Sequence, residues 1–401
     1  MARSILFALL TASSALFTLV SAAPSSDYSG GLVYRREVNF GHEVNWAETP
    51  TTHNARTLER RAGLVPHVPS ANIVLSPNGG AYPRVTSLSD GSLLAVYTAS
   101  SGGNKTLTVA RSTDGGSTFG AWGTIATSPG DLDNGFLLQL PNGNVVAAFR
   151  NHDMSGSAYT YYRLTACVST DGGRTWTFLS QIDQRAATAT NNGLWEPFLR
   201  LSSSSALQVY YASENSGNDQ DILVQTSTDN GATWSGTTTV AGATTTGRDG
   251  MPGCAQFHDG ATKLMCVFET TEGHSGLFSV KSVVSTDDGK TWGTTRSEVF
   301  NPSGSNNNAG APQLVATSDG NLVVSFMTDE DTSAHSWPKS GVAFKIVTGP
   351  PVATGNWGHK TTVTGPQSAW PGLYAKSDGS VLGCAGAPAG LICKDITFTT
   401  S

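Results

Sequence analysis

From about residue 70 to the C-terminus, apolar runs of strand length come in pairs, each pair divided by a short polar turn. Five of the turns read Asp90-Gly91, Asn142-Gly143, Asp259-Gly260, Asp319-Gly320 and Asp378-Gly379. An Asp-Gly or Asn-Gly step between two apolar runs is a strong local hairpin signal. The sixth member has lost its glycine: Ser202–Ser205 separates Phe198-Leu-Arg-Leu201 from Leu207-Gln-Val-Tyr-Tyr211. The pattern therefore predicts six hairpins.

A second repeat runs between the hairpins. Ser112-Thr-Asp114-Gly-Gly-Ser-Thr-Phe119, Ser169-Thr-Asp171-Gly-Gly-Arg-Thr-Trp176, Ser227-Thr-Asp229-Asn-Gly-Ala-Thr-Trp234 and Ser285-Thr-Asp287-Asp-Gly-Lys-Thr-Trp292 are copies of one octapeptide. Their aspartates are 57, 58 and 58 residues apart. A fixed long period marks an array of similar supersecondary units. A unit of about four strands fits the space, so the expected fold is all-β, a six-bladed β-propeller.

Each aspartate is expected to fold back onto its own backbone amides, as in Asx-turns, with the glycine two residues on at positive φ. The closing Trp or Phe is expected to pack across the turn into its own blade. This octapeptide resembles the Asp-box of sialidases and other secreted propellers, a folding device that implies no chemistry at Asp114, Asp171, Asp229 or Asp287. The last two blades have no full box; Thr354-Gly-Asn-Trp357 reads as a remnant. Asn72-Ile-Val-Leu75 and Asp395-Ile-Thr-Phe398 are expected to pair and close the ring, since an open ring leaves free strand edges.

Composition narrows the function. The chain carries a net charge of −6 with 13% charged residues, and no basic stripe suggests nucleic acid. Residues 1–23 (Arg3, the apolar run Ile5–Val20, then Ser21-Ala22-Ala23) have the form of a secretory signal peptide, which implies a secreted protein. No later run could span a bilayer, so no membrane partner is expected. Residues 24–61 end in the dibasic Arg60-Arg61 and read as a pro-segment or a disordered linker, leaving 62–401 as the propeller domain. In a secreted chain, five cysteines allow two disulfides. Cys254 and Cys266 flank the His258-Asp-Gly-Ala261 turn, and Cys384 and Cys393 flank Ala387-Pro-Ala-Gly390. Cys167 is left as a buried free thiol. Asn104-Lys-Thr106 is an N-glycosylation acceptor. No metal-ligand cluster or cofactor motif is present, and a monomer acting on a neutral glycan suits the balance.

Candidate chemistry follows from propeller geometry, because segments entering the innermost strands and leaving the second strands share one mouth. Glu196, between Trp195 and Pro197 at the head of an apolar strand, suits a general acid whose pKa is raised by desolvation. Glu269 ends the run Leu264-Met-Cys-Val-Phe268 and can face it from the next blade. Two such carboxyls about 5–5.5 Å apart make a retaining glycosidase, and about 6.5–9.5 Å an inverting one. Arg84, Arg150, His152, Asp153, Asn215, Asp249 and Asp329 are candidate hydroxyl-binding groups. Tyr82, Trp195, Trp337, Trp370 and Tyr374 are candidate stacking platforms.

Leu194-Trp-Glu-Pro-Phe-Leu-Arg200, Glu214-Asn215, Gly247-Arg-Asp-Gly-Met-Pro252 and Phe268-Glu269, within this blade pattern, resemble fungal exo-α-1,5-L-arabinanases of glycoside hydrolase family 93. The resemblance implies a retaining exo-enzyme releasing arabinobiose from linear arabinan, with Glu196 as acid/base and Glu269 as nucleophile. Sialidase is the alternative enzyme. A sialic-acid carboxylate calls for an arginine triad, yet Tyr82-Pro-Arg-Val85 stands where a sialidase has Phe-Arg-Ile-Pro, and no arginine follows Arg296. A non-catalytic glycan-binding propeller is the remaining alternative.

Overall fold

The computed structural model describes residues 64–257, 263–333, 336–338, 340–352 and 356–400, with the backbone of 38–39 and 42–43. The signal sequence, the dibasic site, the Asp259-Gly260 turn and Thr354-Gly355 lie outside the described residues. Within 24–61 the backbones of β1 (Val38–Asn39) and β2 (His42–Glu43) pair antiparallel.

The turn signals fold as their chemistry dictates. Leu88 N donates to Ser92 O at 2.8 Å and Gly91 N to Leu88 O at 3.0 Å; the same two bonds recur around Asn142-Gly143, Asp319-Gly320 and Asp378-Gly379. The glycine-free member makes them too, at Ser202 N to Ala206 O and Ser205 N to Ser202 O. There Ser205 takes φ 63°, the left-handed position held elsewhere by Gly91, Gly143, Gly320 and Gly379.

These hairpins build six antiparallel sheets. β3 (Leu64–His67) and β4 (Ile73–Ser76) precede them. Blade I is β5 (Ala81–Ser87), β6 (Leu93–Ser101), β7 (Asn104–Ser112) and β8 (Gly120–Ser128). Blade II is β9 (Asp131–Gln139), β10 (Val145–Ser155), β11 (Ala158–Ser169) and β12 (Thr177–Ala186). Blade III is β13 (Leu194–Leu201), β14 (Leu207–Ser216), β15 (Asp219–Ser227) and β16 (Thr238–Ala241). Blade IV is β17 (Gly250–Gln256), β18 (Leu264–Thr270), β19 (Ser279–Ser285) and β20 (Ser297–Phe300). Blade V is β21 (Ala309–Ala316), β22 (Leu322–Thr328), β23 (Ala343–Gly349) and β24 (Gly358–Thr364). Blade VI is β25 (Ala369–Ala375), β26 (Val381–Ala387) and β27 (Gly390–Thr400), completed by the N-terminal strands. The innermost strands touch in cyclic order and β25 meets β5. The fold is a six-bladed β-propeller.

Closure differs from expectation in register. β4 pairs with Leu391–Cys393, not with the later segment of β27. Thr397–Thr400 instead takes β3, with His67 opposite Thr397 and Leu64 opposite Thr400. The long last strand is thus edged twice by the chain's own start, which removes its open edge.

The core lies between blades. Leu94, Val96 and Leu107 of blade I pack on Leu137, Val145 and Phe149 of blade II, and like clusters fill the following interfaces. The box aromatics belong to this seam, a correction to the expectation that each packs into its own blade. Trp176, Trp234 and Trp292 join clusters shared with the preceding blade, and Trp292 meets Tyr210 of blade III at 6.0 Å. Trp357, in the remnant box, packs likewise on the blade IV–V cluster.

Each box is the expected carboxylate turn. Asp171 accepts Thr175 N at 2.9 Å, Thr175 Oγ1 at 2.6 Å and Ser169 Oγ at 2.8 Å, and the other three boxes repeat this set. These bonds hold Asp114 and Asp229 down to about 2. Cys254 bonds Cys266 and Cys384 bonds Cys393, each pair directly opposed across neighbouring strands. Cys167 is free and buried, its thiol pushed up to about 11 by burial. Asn104 is exposed at the β6–β7 hairpin.

Candidate functional site

One backbone device recurs at the head of every innermost strand. Tyr82, Asn134, Glu196, Met251, Ala311 and Trp370 take φ of 54°, 53°, 47°, 53°, 50° and 58°. At each of these points the pairing with the second strand shifts, as at a β-bulge. A non-glycine residue at positive φ costs about 1–3 kcal/mol, and such strain concentrates where a site over-determines the backbone. The six side chains line the axis: Tyr82, Met251 and Ala311 form a cluster with Trp370, while Asn134, Glu196 and Met251 line a small central cavity.

The bulges also present backbone donors. Met251 N donates to Glu196 Oε2 at 3.2 Å, and Ala311 N donates to Glu269 Oε2 at 2.7 Å. Each carboxylate is therefore held by the bulge of the following blade. Glu269 lies over two glycines. A Cβ on Gly250 would sit 3.1 Å from Glu269 Oε1, and one on Gly310 would collide with Oε2 while lying 3.1 Å from the Trp337 ring.

Both carboxyls are pushed upward. For Glu269 burial dominates, followed by the charge of Glu196, and the result is about 8 despite the Ala311 bond. Glu196 is raised by burial, opposed by Arg150, the Met251 bond and Arg248. A carboxyl raised by its neighbour's charge, as Glu269 is by Glu196, titrates together with it.

The walls are fixed by ion pairs. Arg150 meets Asp131 at 3.1 Å and Asp133 at 3.3 Å and lies over Trp195 at 5.4 Å, while Tyr159 OH donates to Asp131. Arg248 reaches Glu214 at 2.8 Å and Gln220 at 2.9 Å, and Glu214 also accepts Gly193 N at 2.7 Å. Trp337 packs with Phe278 at 6.1 Å between the long loops of blades IV and V.

The structure brings Tyr82, Arg84, Arg150, Trp195, Glu196, Glu269, Trp337 and Trp370 to the axis region, with Tyr82 4.6 Å from Trp370. The others lie apart. His152 is buried behind Trp195 against Tyr159 and Tyr162 and accepts Arg163 N on Nδ1; burial, then Arg150, pushes it down to about 4. Asp153 is ion-paired to Arg163. Asn215 is exposed and donates to Asp219 and Asp221. Asp249 is taken by a two-point pair with Arg296 at 2.7 and 2.8 Å. Asp329, fully buried, accepts Asn308 N at 2.6 Å. Tyr374 lies in the blade VI–I core.

Asn134, Gln313, Asp131, Asp133, Glu214, Gln220 and Arg248 were not singled out as site residues by sequence reasoning, yet they form or brace this region. A signal for the ring existed: in five blades the left-handed residue precedes proline, at Tyr82-Pro83, Glu196-Pro197, Met251-Pro252, Ala311-Pro312 and Trp370-Pro371.

No protein-family model and no curated protein matches the sequence. Solved structures share the fold. The chain is similar to the GH93 α-L-arabinofuranosidase of Fusarium graminearum in complex with arabinobiose, at 21% identity and TM-score 0.61 over 84% of this chain and 97% of that one. It is similar to Penicillium chrysogenum α-L-arabinanase complexed with arabinobiose, at 20% identity and TM-score 0.61 over 84% and 98%. A Hadza microbial sialidase matches at 15% identity and TM-score 0.53 over 80% of this chain and 66% of that one.

Proposed function

We propose that this propeller is a secreted, retaining glycosidase that cleaves α-1,5-linked L-arabinan from a chain end and releases arabinobiose. The observation that carries the reading is the half-buried Glu196–Glu269 pair, set on neighbouring blades, with both carboxyls raised by desolvation and that of Glu269 raised further by the charge of Glu196. Paired carboxyls of this kind are what glycoside hydrolysis needs. The arabinobiose complexes of the Fusarium and Penicillium proteins suggest the sugar.

In the first step Glu196 gives its proton to the glycosidic oxygen as that bond to the anomeric carbon breaks, and Glu269 attacks the same carbon to form an ester. In the second, Glu196 takes a proton from water, which displaces Glu269. Arg150 and Arg248 favour charge on Glu196, whereas Arg248 is the cation that favours it on Glu269.

Product analysis on linear debranched arabinan, with sialyl-lactose as control, tests the reaction. Arabinobiose accumulating alone from the start is the expected result; no hydrolysis of either with retained arabinan binding would favour a binding protein. Released sialic acid would favour sialidase, against which the commitments of the guanidiniums already argue. Arg150, Arg248 and Arg296 are each tied to carboxylates.

Glu196→Gln and Glu269→Gln are each expected to lower kcat by at least about 10³-fold without unfolding. Azide then separates the roles. With Glu269→Ala it should enter the vacated face and give the inverted glycosyl azide, and with Glu196→Ala the retained one. The opposite pattern would exchange the two assignments.

A further inference from the structure

Arg84 is 7% exposed, beside the axis, and among the described residues no carboxylate lies within ion-pair distance of it. Burying an unpaired charge is expensive. Its Nη1 donates to Pro83 O at 2.9 Å and Pro371 O at 3.0 Å, two carbonyls that lend only partial charge. Room for the guanidinium comes from Gly372, where a Cβ would lie 3.0 Å from Nη1. Among the described residues Nε and Nη2 have no partner, and they are not sealed off. They share a small cavity with Asn134, Gln313 and Glu196, walled by Met251 and two prolines. Asn134 Oδ1 is buried without a partner among the described residues, and Gln313 Nε2 gives one hydrogen to Pro312 O at 3.0 Å.

We propose that this cavity binds a small monovalent anion, a halide or nitrate, on the Arg84 guanidinium with the amides of Asn134 and Gln313, and that the anion keeps Glu196 protonated. The groups facing Glu196 make the coupling specific. Blade I presents Tyr82 and Arg84, blade II Arg150, blade III Glu214, the III–IV connection Arg248, and blade IV Glu269, while Asp133 of blade II faces Arg84 and Arg150. Arg150 and Arg248 are already neutralised by carboxylates. Arg84 is not, so ionised Glu196 or a bound anion can serve as its counter-charge. Anion uptake and proton uptake by Glu196 are thus linked, and each strengthens the other. A unit charge about 5 Å away at an effective dielectric near 20 is ample to move a carboxyl by about one pH unit.

The effect on rate rests on the glycosidase reading; the binding does not. Crystals grown with bromide in place of chloride test the binding by anomalous scattering. A peak beside Arg84 in the wild type, absent in Arg84→Gln and present in Arg84→Lys, is the expected result. No peak in the wild type overturns the site, whether or not the protein hydrolyses arabinan. The alkaline limb of kcat/KM is then compared in bromide and in gluconate at equal ionic strength. Bromide should move it up by about one pH unit, and the shift should vanish in Arg84→Gln. A peak with an unmoved limb, or an equal shift in Arg84→Gln, overturns the coupling to Glu196. Melting curves of both variants confirm that they are folded.

Discussion

Gly310 is an absence with a function. With no side chain there, Glu269 lies against the blade V bulge and reaches the Ala311 amide. Gly310→Ala should push the carboxylate off that donor and lower kcat by roughly 10–100-fold, with little change in melting temperature. An unaltered rate would show that Glu269 can be displaced without cost. The raised carboxyl carries a second consequence. Folding lifts Glu269 from its ordinary range to about 8, so between those values the folded state holds more protons than the unfolded. Its contribution is fully favourable at low pH and is lost as pH rises toward about 8, by roughly 2–4 kcal/mol. Glu269→Gln should therefore raise the melting temperature at pH 8 and leave it nearly unchanged at pH 4.5. Equal melting curves at both pH values would refute this strain.

At the scale of the element, the turns and boxes were legible because their chemistry is local. An Asp-Gly pair or an Asp four residues before a Thr closes its hydrogen bonds within one turn, whatever surrounds it. Direction of facing was less legible. Strand alternation says which residues share a side only while the pairing is regular, and the left-handed step at Glu196 interrupts it. His152 and Tyr374 show the limit: both lie on strands of the right hairpins, yet their rings turn into the seams between blades. The boxes lie at these seams, remote from the axis. Asp287→Ala, which removes the Thr291 and Ser285 bonds, should lower the melting temperature by about 2–4 °C. Thermal scanning with a parallel assay checks it, and a drop in kcat greater than about twofold would tie the box to chemistry.

For the whole molecule, blade number was readable from a count of turns, but the closing register was not. Leu64-Val-Pro-His67 is four residues long with a proline inside, too short for periodicity to mark as a strand. Only the tertiary contact with Thr397–Thr400 makes it one. A chain begun at residue 62 should melt like the full-length protein, whereas one begun at Pro77 leaves β27 with an unpaired edge and should aggregate on heating. Light scattering during a thermal ramp distinguishes them, and identical traces would show that neither N-terminal strand is needed.

The six left-handed steps around the axis are filled by Tyr, Asn, Glu, Met, Ala and Trp, residues with almost nothing in common. The backbone at these places is therefore indifferent to what it displays. Inheritance can treat the ring as six interchangeable sockets. A mutation at one socket rewrites what the centre can recognise or cut while the blades that carry it stay as they are. Catalytic novelty in such a chain need not wait for a new fold, a new loop or a new blade.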